Sequence, residues 1–511
     1  MYLTQPLHRA LQHAPDAPMT AYGERTRTAR QVADRVARLA SALKGLGVTV
    51  ADRVGILMLN SDRVHESIFA IWWIGAAAHP VNSRWSPAEI GYALNDSGTE
   101  LLLVDDAFAD LVPDLRTRCA GLRTVVHCGD GPAPGGTLRY EDLIRSSTPV
   151  PDGRHGGDAL ALLLYTGGTT GLPKGVMISH RGLRSSLAGS MLAMRNVDRG
   201  GATLVTAPLF HIAAVCSWYA QLVMGGTVVF LPLFRPADFL DAVQRHRVTT
   251  CILIPTMVQL LCEHPALGDH DVSSLRSITY GGAASSGALL RRAMETFPGA
   301  GFSQGYGMTE TGVLCTLGRE EHAAGGPRLR STGRATPAVE IAVLGPDGSR
   351  LPTGQVGEIV TRGDHVMLGY WGKPDETARA LRDGWMHTGD AGLLDEDGYL
   401  YVVDRIKDMI ITGGENVYSA EVENALATHP AVASCAVIGV PDDRWGERVH
   451  AVLVLRPGRT ATAEEIRDHC KTLIAGYKAP RTVEFADALP TSAAGKILKR
   501  VLRDAPRPAA P

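Results

Sequence analysis

The chain has 511 residues, 45% of them hydrophobic and 20% charged. That is the make-up of a globular enzyme with roughly three or four folding units, or one large domain plus a smaller one. Its 51 Lys and Arg nearly balance 53 Asp and Glu, for a net charge of −2. This balance speaks against a nucleic-acid-binding protein, which usually carries a strong basic excess.

The first residues, Met1 to Ala10, lack a basic segment followed by an apolar run, so no secretory signal is expected. Thr28 and Gln31 form a capping-box pattern. Apolar Val32, Val36, Leu39, Leu43 and Leu46 follow at helical spacing, and Gly45 and Gly47 end the run. Residues 54–59 read as a short buried strand, 61–74 as a second helix and 101–104 as a second strand. Strand, helix, strand with compact connections predicts a parallel sheet with crossover helices. Residues 129–136 are a surface loop by composition. Residues 160–164 are another buried strand that runs into a glycine-rich loop.

The apolar run 69–78 is about half of what spans a bilayer, and the uncharged stretch 200–234 is broken by Pro208, His211, Gly225 and Pro232. Both predict core, the second around a pocket, and no transmembrane segment is expected. The eight cysteines are scattered without a C-x-x-C pair, which predicts reduced thiols in a cytoplasmic protein. Near the end, 431–440 and 449–455 alternate like half-buried strands, and 464–474 place Ile466, Cys470 and Leu473 on one helical face. A small α+β domain of about 100 residues is predicted, starting near Asp404.

The strongest local signal is Tyr165-Thr-Gly-Gly-Thr-Thr-Gly-Leu-Pro-Lys-Gly175. Glycines let backbone N–H groups turn toward an anion, hydroxyls add donors and Lys174 adds a point charge. It is not a Walker A loop, because Lys174 is followed by Gly175 and not by Ser or Thr.

This loop resembles the phosphate loop of the adenylate-forming superfamily, which includes acyl-CoA synthetases, 4-coumarate–CoA ligases, luciferases and peptide-synthetase adenylation domains. Four further segments match in the superfamily's order: Gly305-Tyr-Gly-Met-Thr-Glu310; His387-Thr-Gly-Asp390; Asp404-Arg-Ile-Lys-Asp408 with Gly413-Gly-Glu-Asn416; and Pro490-Thr-Ser-Ala-Ala-Gly-Lys496. Gly167 stands where the common loop has Ser, and its backbone N–H remains. The resemblance implies an α/β fold with a large N-terminal domain of stacked αβ subdomains and a β-barrel-like part. A small mobile α+β C-terminal domain completes it. The implied boundaries are 1–403 for the AMP-binding domain, 404–408 for a hinge and 409–511 for the mobile domain.

The resemblance also implies roles and the cofactors ATP, Mg²⁺ and CoA. Thr166, Gly167, Gly168, Thr169, Thr170 and Gly171 with Lys174 would hold the β- and γ-phosphates. Thr309 and Glu310 would contact the α-phosphate and Mg²⁺, with Thr166 as a second metal-side oxygen. Hard Mg²⁺ takes few carboxylates plus substrate oxygens, which suits a single glutamate. Gly282, Ala283, Gln304, Gly305 and Tyr306 would wall the adenine and acyl-phosphate. Asp390 would accept the ribose hydroxyls, with Arg405 beside it. Lys496 would bridge carboxylate and α-phosphate during adenylation. Rotation about Lys407 would then bring Gly413 and Gly414 to the pantetheine tunnel, and His211 would stand at the mouth between acyl and CoA tunnels.

No Asp, Glu, Lys or Arg lies between Arg199 and Arg235, so no acid is at hand there for a substrate ammonium. This favours free CoA and an apolar acid. Small Ala213, Ala214, Gly281, Gly282 and Val313 favour a medium or long alkyl chain, with an aryl or cinnamate-type acid as the alternative. A luciferase-like oxidative enzyme and a non-catalytic acyl-adenylate-binding relative remain rivals. A homodimer is compatible with the sequence.

Overall fold

The computed structural model describes residues 2–166, 172–282, 285, 287–413, 415–442, 444–491 and 497–505. Gly167, Gly168, Thr169, Thr170, Gly171, Ala283, Gly414 and Lys496, all expected site residues, lie outside the described residues. The chain divides into two compact units, Met1–Ile341 with Thr361–Met386, and Ala342–Val360 with His387–Pro511.

The first unit is a stack of helix and sheet layers. Its eight-stranded sheet runs, in spatial order, Gly369–Tyr370, Lys174–Ser179, Leu160–Thr166, Ala77–Pro80, Arg53–Leu57, Leu101–Val104, Thr124–His127 and Leu138–Arg139. Arg53–Leu57 is parallel to both Ala77–Pro80 and Leu101–Val104, as the strand–helix–strand pattern predicts. The strand Ala77–Pro80 was hidden in the apolar run. Buried on both faces, it shows no alternation to read.

The expected helices form where their caps place them. Thr28 accepts from the Gln31 backbone and Gln31 returns the bond, opening helix Ala29–Gly45. Ser61 caps helix Asp62–Trp73. The 129–136 segment is irregular, as expected.

A nine-stranded sheet lies on the other side of a shared core. Its order is Arg334–Ala335, Gly312–Leu317, Gly301–Met308, Ser277–Gly281, Thr250–Leu253, Ala202–Val205, Thr227–Phe230, Pro18–Tyr22 and Arg25–Thr28. Helices Asp62–Trp73, His180–Met194 and Ile212–Val223 bury Phe69, Trp72, Leu183, Leu187, Trp218 and Leu222 in one core with strand residues of both sheets. The uncharged 200–234 stretch thus supplies mostly this core. Trp218 is fully buried, with its indole N–H on His65 Nδ1 at 3.0 Å. Outer helices cover the remaining sheet faces through two further clusters. Among the described residues no helix is long and apolar enough to cross a membrane, and all eight cysteines are free.

In the second unit, Leu400–Arg405 pairs antiparallel with the strand that carries Asp390. A separate sheet has the order Glu415–Val417, Ile410–Thr412, Gly446–Leu455, Val432–Asp442, with Thr482–Phe485 parallel to Gly446–Leu455. Helices Ser419–Ala427 and Ala463–Leu473 complete a small α+β body. Two expectations need correction here. Val449 to Leu453 are buried on both faces rather than alternating, because their strand is central. Leu473 is exposed, at the end of its helix, while Ile466 and Cys470 are fully buried.

Candidate active site

In the first unit, Thr166 ends strand Leu160–Thr166 and is the cross-strand partner of Lys174 on Lys174–Ser179. The strands on either side of the glycine- and threonine-rich segment are therefore antiparallel neighbours. A Walker A loop instead leads from strand to helix, so the structure supports the exclusion made from sequence.

This strand pair is held by residues the sequence did not single out. Tyr165 Oη donates to Asp96 Oδ2 at 2.7 Å, and burial, then the Asp96 bond, pushes the phenol pKa up. Lys373 Nζ lies 3.4 Å from Asp96 Oδ1, and the Trp371 indole donates to the Asp96 carbonyl at 3.1 Å. Gly369–Tyr370 pairs with Met177 and Val176 on the outgoing strand. That pairing brings Tyr370 and Glu376 to Lys174, which forms an ion pair with Glu376 and sits 4.9 Å from the Tyr370 ring centroid.

Thr309 and Glu310 occupy the turn between antiparallel strands Gly301–Met308 and Gly312–Leu317. Glu310 is only 7% exposed, and Tyr370 Oη donates to its Oε1 at 2.9 Å. Burial, then the Glu310 charge, raises the Tyr370 pKa, so the phenol stays a donor. Tyr370 thereby links the lysine that follows the glycine-rich segment to the expected metal carboxylate.

Gln304, Gly305 and Tyr306 lie on Gly301–Met308, with Gly305 in register with Gly281. A Cβ on Gly281 would stand 2.6 Å from the Gly305 carbonyl oxygen, so this approach of two backbones needs glycine. Gly282 is exposed beside it. His211 is the residue before helix Ile212–Val223, its ring 4.4 Å from that of Phe210.

In the second unit, Asp390 and Arg405 are cross-strand partners, with Nε 3.3 Å from Oδ1, and Asp390 is 8% exposed. Asp404 accepts from Ser419 Oγ at 2.6 Å and from its neighbour's amide. Lys407 follows in a short turn, its pKa lowered to about 8 by burial and then by Arg405. Gly413 has φ +62°, and a Cβ there would meet the Trp445 ring at 2.8 Å.

A bridge between Thr491 and Ile497 closes the base of the Lys496 segment. The basic run after it is pinned rather than free: Lys499 Nζ reaches Glu423 at 2.8 Å, and Arg503 reaches Asp408 at 2.7 Å.

The donor chemistry fits the expected groups. A buried carboxylate, with no cluster of three or more His, Cys, Asp or Glu among the described residues, suits Mg²⁺ shared with phosphate oxygens rather than a protein-caged metal. A lysine and a buried carboxylate linked through Tyr370, next to a glycine- and threonine-rich segment, are what is expected of an enzyme that activates its substrate with a nucleotide.

Comparison with known proteins agrees. The model of the AMP-binding enzyme family matches residues 7–371, and that of the AMP-binding enzyme C-terminal domain matches 421–496. A feruloyl-CoA synthase from an Amycolatopsis species is 41% identical over 98% of this chain and 97% of its own. A fatty acid–[acyl-carrier-protein] ligase from Streptomyces coeruleorubidus is 38% identical over 96% and 94%. The crystal structure of an anthranilate CoA ligase with anthranoyl-AMP superposes with a TM-score of 0.90 at 29% identity, covering 98% of this chain and 96% of that one. The chain belongs to the AMP-binding enzyme family. It is an AMP-forming acid–thiol ligase that uses ATP, Mg²⁺ and CoA.

Proposed function

We propose that the protein activates an aromatic carboxylic acid of the benzoate or cinnamate kind and transfers it to CoA. A carboxylate oxygen attacks the α-phosphorus of ATP and pyrophosphate leaves, giving acyl-AMP. The CoA sulfur then attacks the acyl carbonyl and AMP leaves. No enzyme nucleophile is required, so the residues act by positioning and charge.

In this reading Thr166 to Gly171 and Lys174 hold the β- and γ-phosphates, and Thr309 and Glu310 serve the α-phosphate side. Mg²⁺, when bound, neutralises phosphate charge there. Asp390 and Arg405 hold the ribose, and Gln304 to Tyr306 with Gly282 wall the acyl-phosphate. Lys496 acts in adenylation. The hinge at 404–408 with Lys407 then exchanges it for Gly413 and Gly414, and His211 lies on the acyl path to CoA.

The observation that carries the choice of acid is the setting of Gly281 and Gly305. The groups nearest a Cβ on Gly305 are Met194 and Val313, and neither is a carboxylate. A substrate ammonium would find no partner there, and an apolar ring suits these neighbours, of which the Met194 thioether is adaptable. The feruloyl relative supports the same choice. An alkyl chain is the second reading, supported by the small Ala213, Ala214 and Val313 and by the fatty acid ligase relative.

A CoA-dependent AMP-release assay with hexanoate, dodecanoate, benzoate and ferulate tests the proposal. Turnover of the aromatic acids well above the alkanoates is expected. Turnover of alkanoates alone would replace it with the second reading.

A further inference from the structure

The nine-stranded sheet presents one face to an aliphatic cluster, through Leu204, Cys251, Ile278 and Phe302. Residues of opposite parity point to the other face. There the sheet carries Thr203, Ser277, Thr279 and Ser303, all at most 5% exposed. Hydroxyls in this number are unusual where a helix-covered face would carry Val or Ile.

Two of them are joined. Thr279 and Ser303 are register partners, and their Oγ atoms lie 3.0 Å apart. Asn196 Nδ2 donates to Thr279 Oγ1 at 2.7 Å and to Met194 Sδ at 3.4 Å. Among the described residues, Thr203 Oγ1 and Ser277 Oγ have no hydrogen-bond partner at all. A buried unpaired hydroxyl costs stability of order 1–3 kcal/mol, so a structural role alone does not explain them.

The position relative to the chemistry is set by the strands. Gly281 and Gly305 are the next same-face pair toward the carboxyl ends, where ligands of open α/β sheets bind. Two residues of strand at about 3.3 Å each separate that pair from Thr279 and Ser303. This is the span of an aromatic ring with its substituent. Met194, whose Cε stands 3.0 Å from a Cβ built on Gly305, covers the interval with a flexible thioether that can adapt to a ring.

We infer that Asn196, Thr279 and Ser303 form the far end of the acid subsite and recognise an oxygen substituent on the ring, a phenolic hydroxyl or an alkoxy oxygen. This rests on the aromatic-acid reading proposed above.

Proton counting supports it. Thr279 and Ser303 hold two hydroxyl protons, and the bond between them uses one. Thr279 accepts from Asn196, so one O–H remains to donate to a substrate oxygen. Asn196 Oδ1 remains to accept a phenolic proton. The array offers one donor and one acceptor at one place, which an unsubstituted ring or a methyl terminus leaves unpaired.

The test compares kcat/KM for ferulate, para-hydroxycinnamate and cinnamate in the wild type, Thr279→Val and Asn196→Ala, with melting curves to confirm folding. Thr279→Val keeps the shape and removes the hydroxyl. The expected result is a wild-type preference for the oxygenated acids that falls roughly tenfold in each variant, the size of one hydrogen bond. Equal losses on all three acids, or an unchanged preference, would overturn the inference.

Should the wild type turn over only alkanoates, the aromatic reading fails by itself. The subsite is then judged on ω-hydroxyoctanoate against octanoate. A preference for the hydroxylated chain that Thr279→Val abolishes sustains it, and an unchanged ratio removes it.

Discussion

Replacing Tyr370 by Phe removes one oxygen from the most enclosed part of the candidate site. The Tyr370 hydroxyl is 2.9 Å from Glu310 Oε1, and Glu310 is 7% exposed, so bulk water reaches the carboxylate poorly. By donating to Oε1 the phenol fixes the orientation of the carboxylate that is expected to meet the metal. Groups that orient a metal ligand in this way are typically worth 10–100-fold in metal affinity or activity. A hydrogen bond to a charged acceptor, worth about 1.5–3 kcal/mol, gives the same range.

The assay is acid-dependent ATP–pyrophosphate exchange titrated with Mg²⁺. Half-saturation by Mg²⁺ is expected to rise roughly 10–100-fold, with rate recovered at high Mg²⁺. The phenyl ring still lies against Lys174, so the KM for ATP at saturating Mg²⁺ should move much less. Because burial holds the phenol protonated, the defect should be the same from pH 6 to pH 9. A wild-type Mg²⁺ curve in the variant would refute the assignment of Glu310 to the metal through Tyr370.

Other consequences follow from the same structure. Lys496→Ala should cut acyl-AMP formation by roughly 10²–10³ while sparing thioester formation from supplied acyl-AMP; equal loss in both would remove its assigned role. Gly281→Ala places a Cβ 2.6 Å from a backbone carbonyl, costing about 1–3 kcal/mol. It should lower both melting temperature and exchange rate, and wild-type values for both would contradict the close approach.

Stability should also fall in mild acid. Burial holds His65 and His79 down to about pKa 3, and His180 and His365 to about 4. These folded-state values lie below the ordinary value near 6.5, so below pH 6.5 the unfolded chain takes up protons that the folded chain refuses. At pH 5 each contributes up to about 2 kcal/mol of lost stability. Melting temperature should therefore drop steeply between pH 6.5 and 5, and a flat profile would contradict the buried neutral state.

What the sequence revealed, and what it concealed, follows from the range of the interactions. The Thr28 capping box and strands Leu101–Val104 and Leu160–Thr166 are set by neighbours within a few residues, and local pattern suffices to read them. Tyr370 and Glu376 were missed, because they reach Lys174 only through a strand pairing nearly two hundred residues away along the chain. The nearest local sign was Pro374 opening a short helix that carries Glu376, which says nothing of its partner. The hydroxyl face of Thr203, Ser277, Thr279 and Ser303 was missed for a related reason. Each strand contributes one or two hydroxyls, and only the register gathers them. Leu473 was misplaced because helical spacing names a face but not where a helix leaves the core.

The most direct test of the account is the stoichiometry of products with ferulate, ATP, Mg²⁺ and CoA. One AMP, one pyrophosphate and one feruloyl thioester per turnover are predicted, with pyrophosphate exchange that needs the acid but not CoA. ADP as the nucleotide product, or AMP release that ignores the acid, would contradict it.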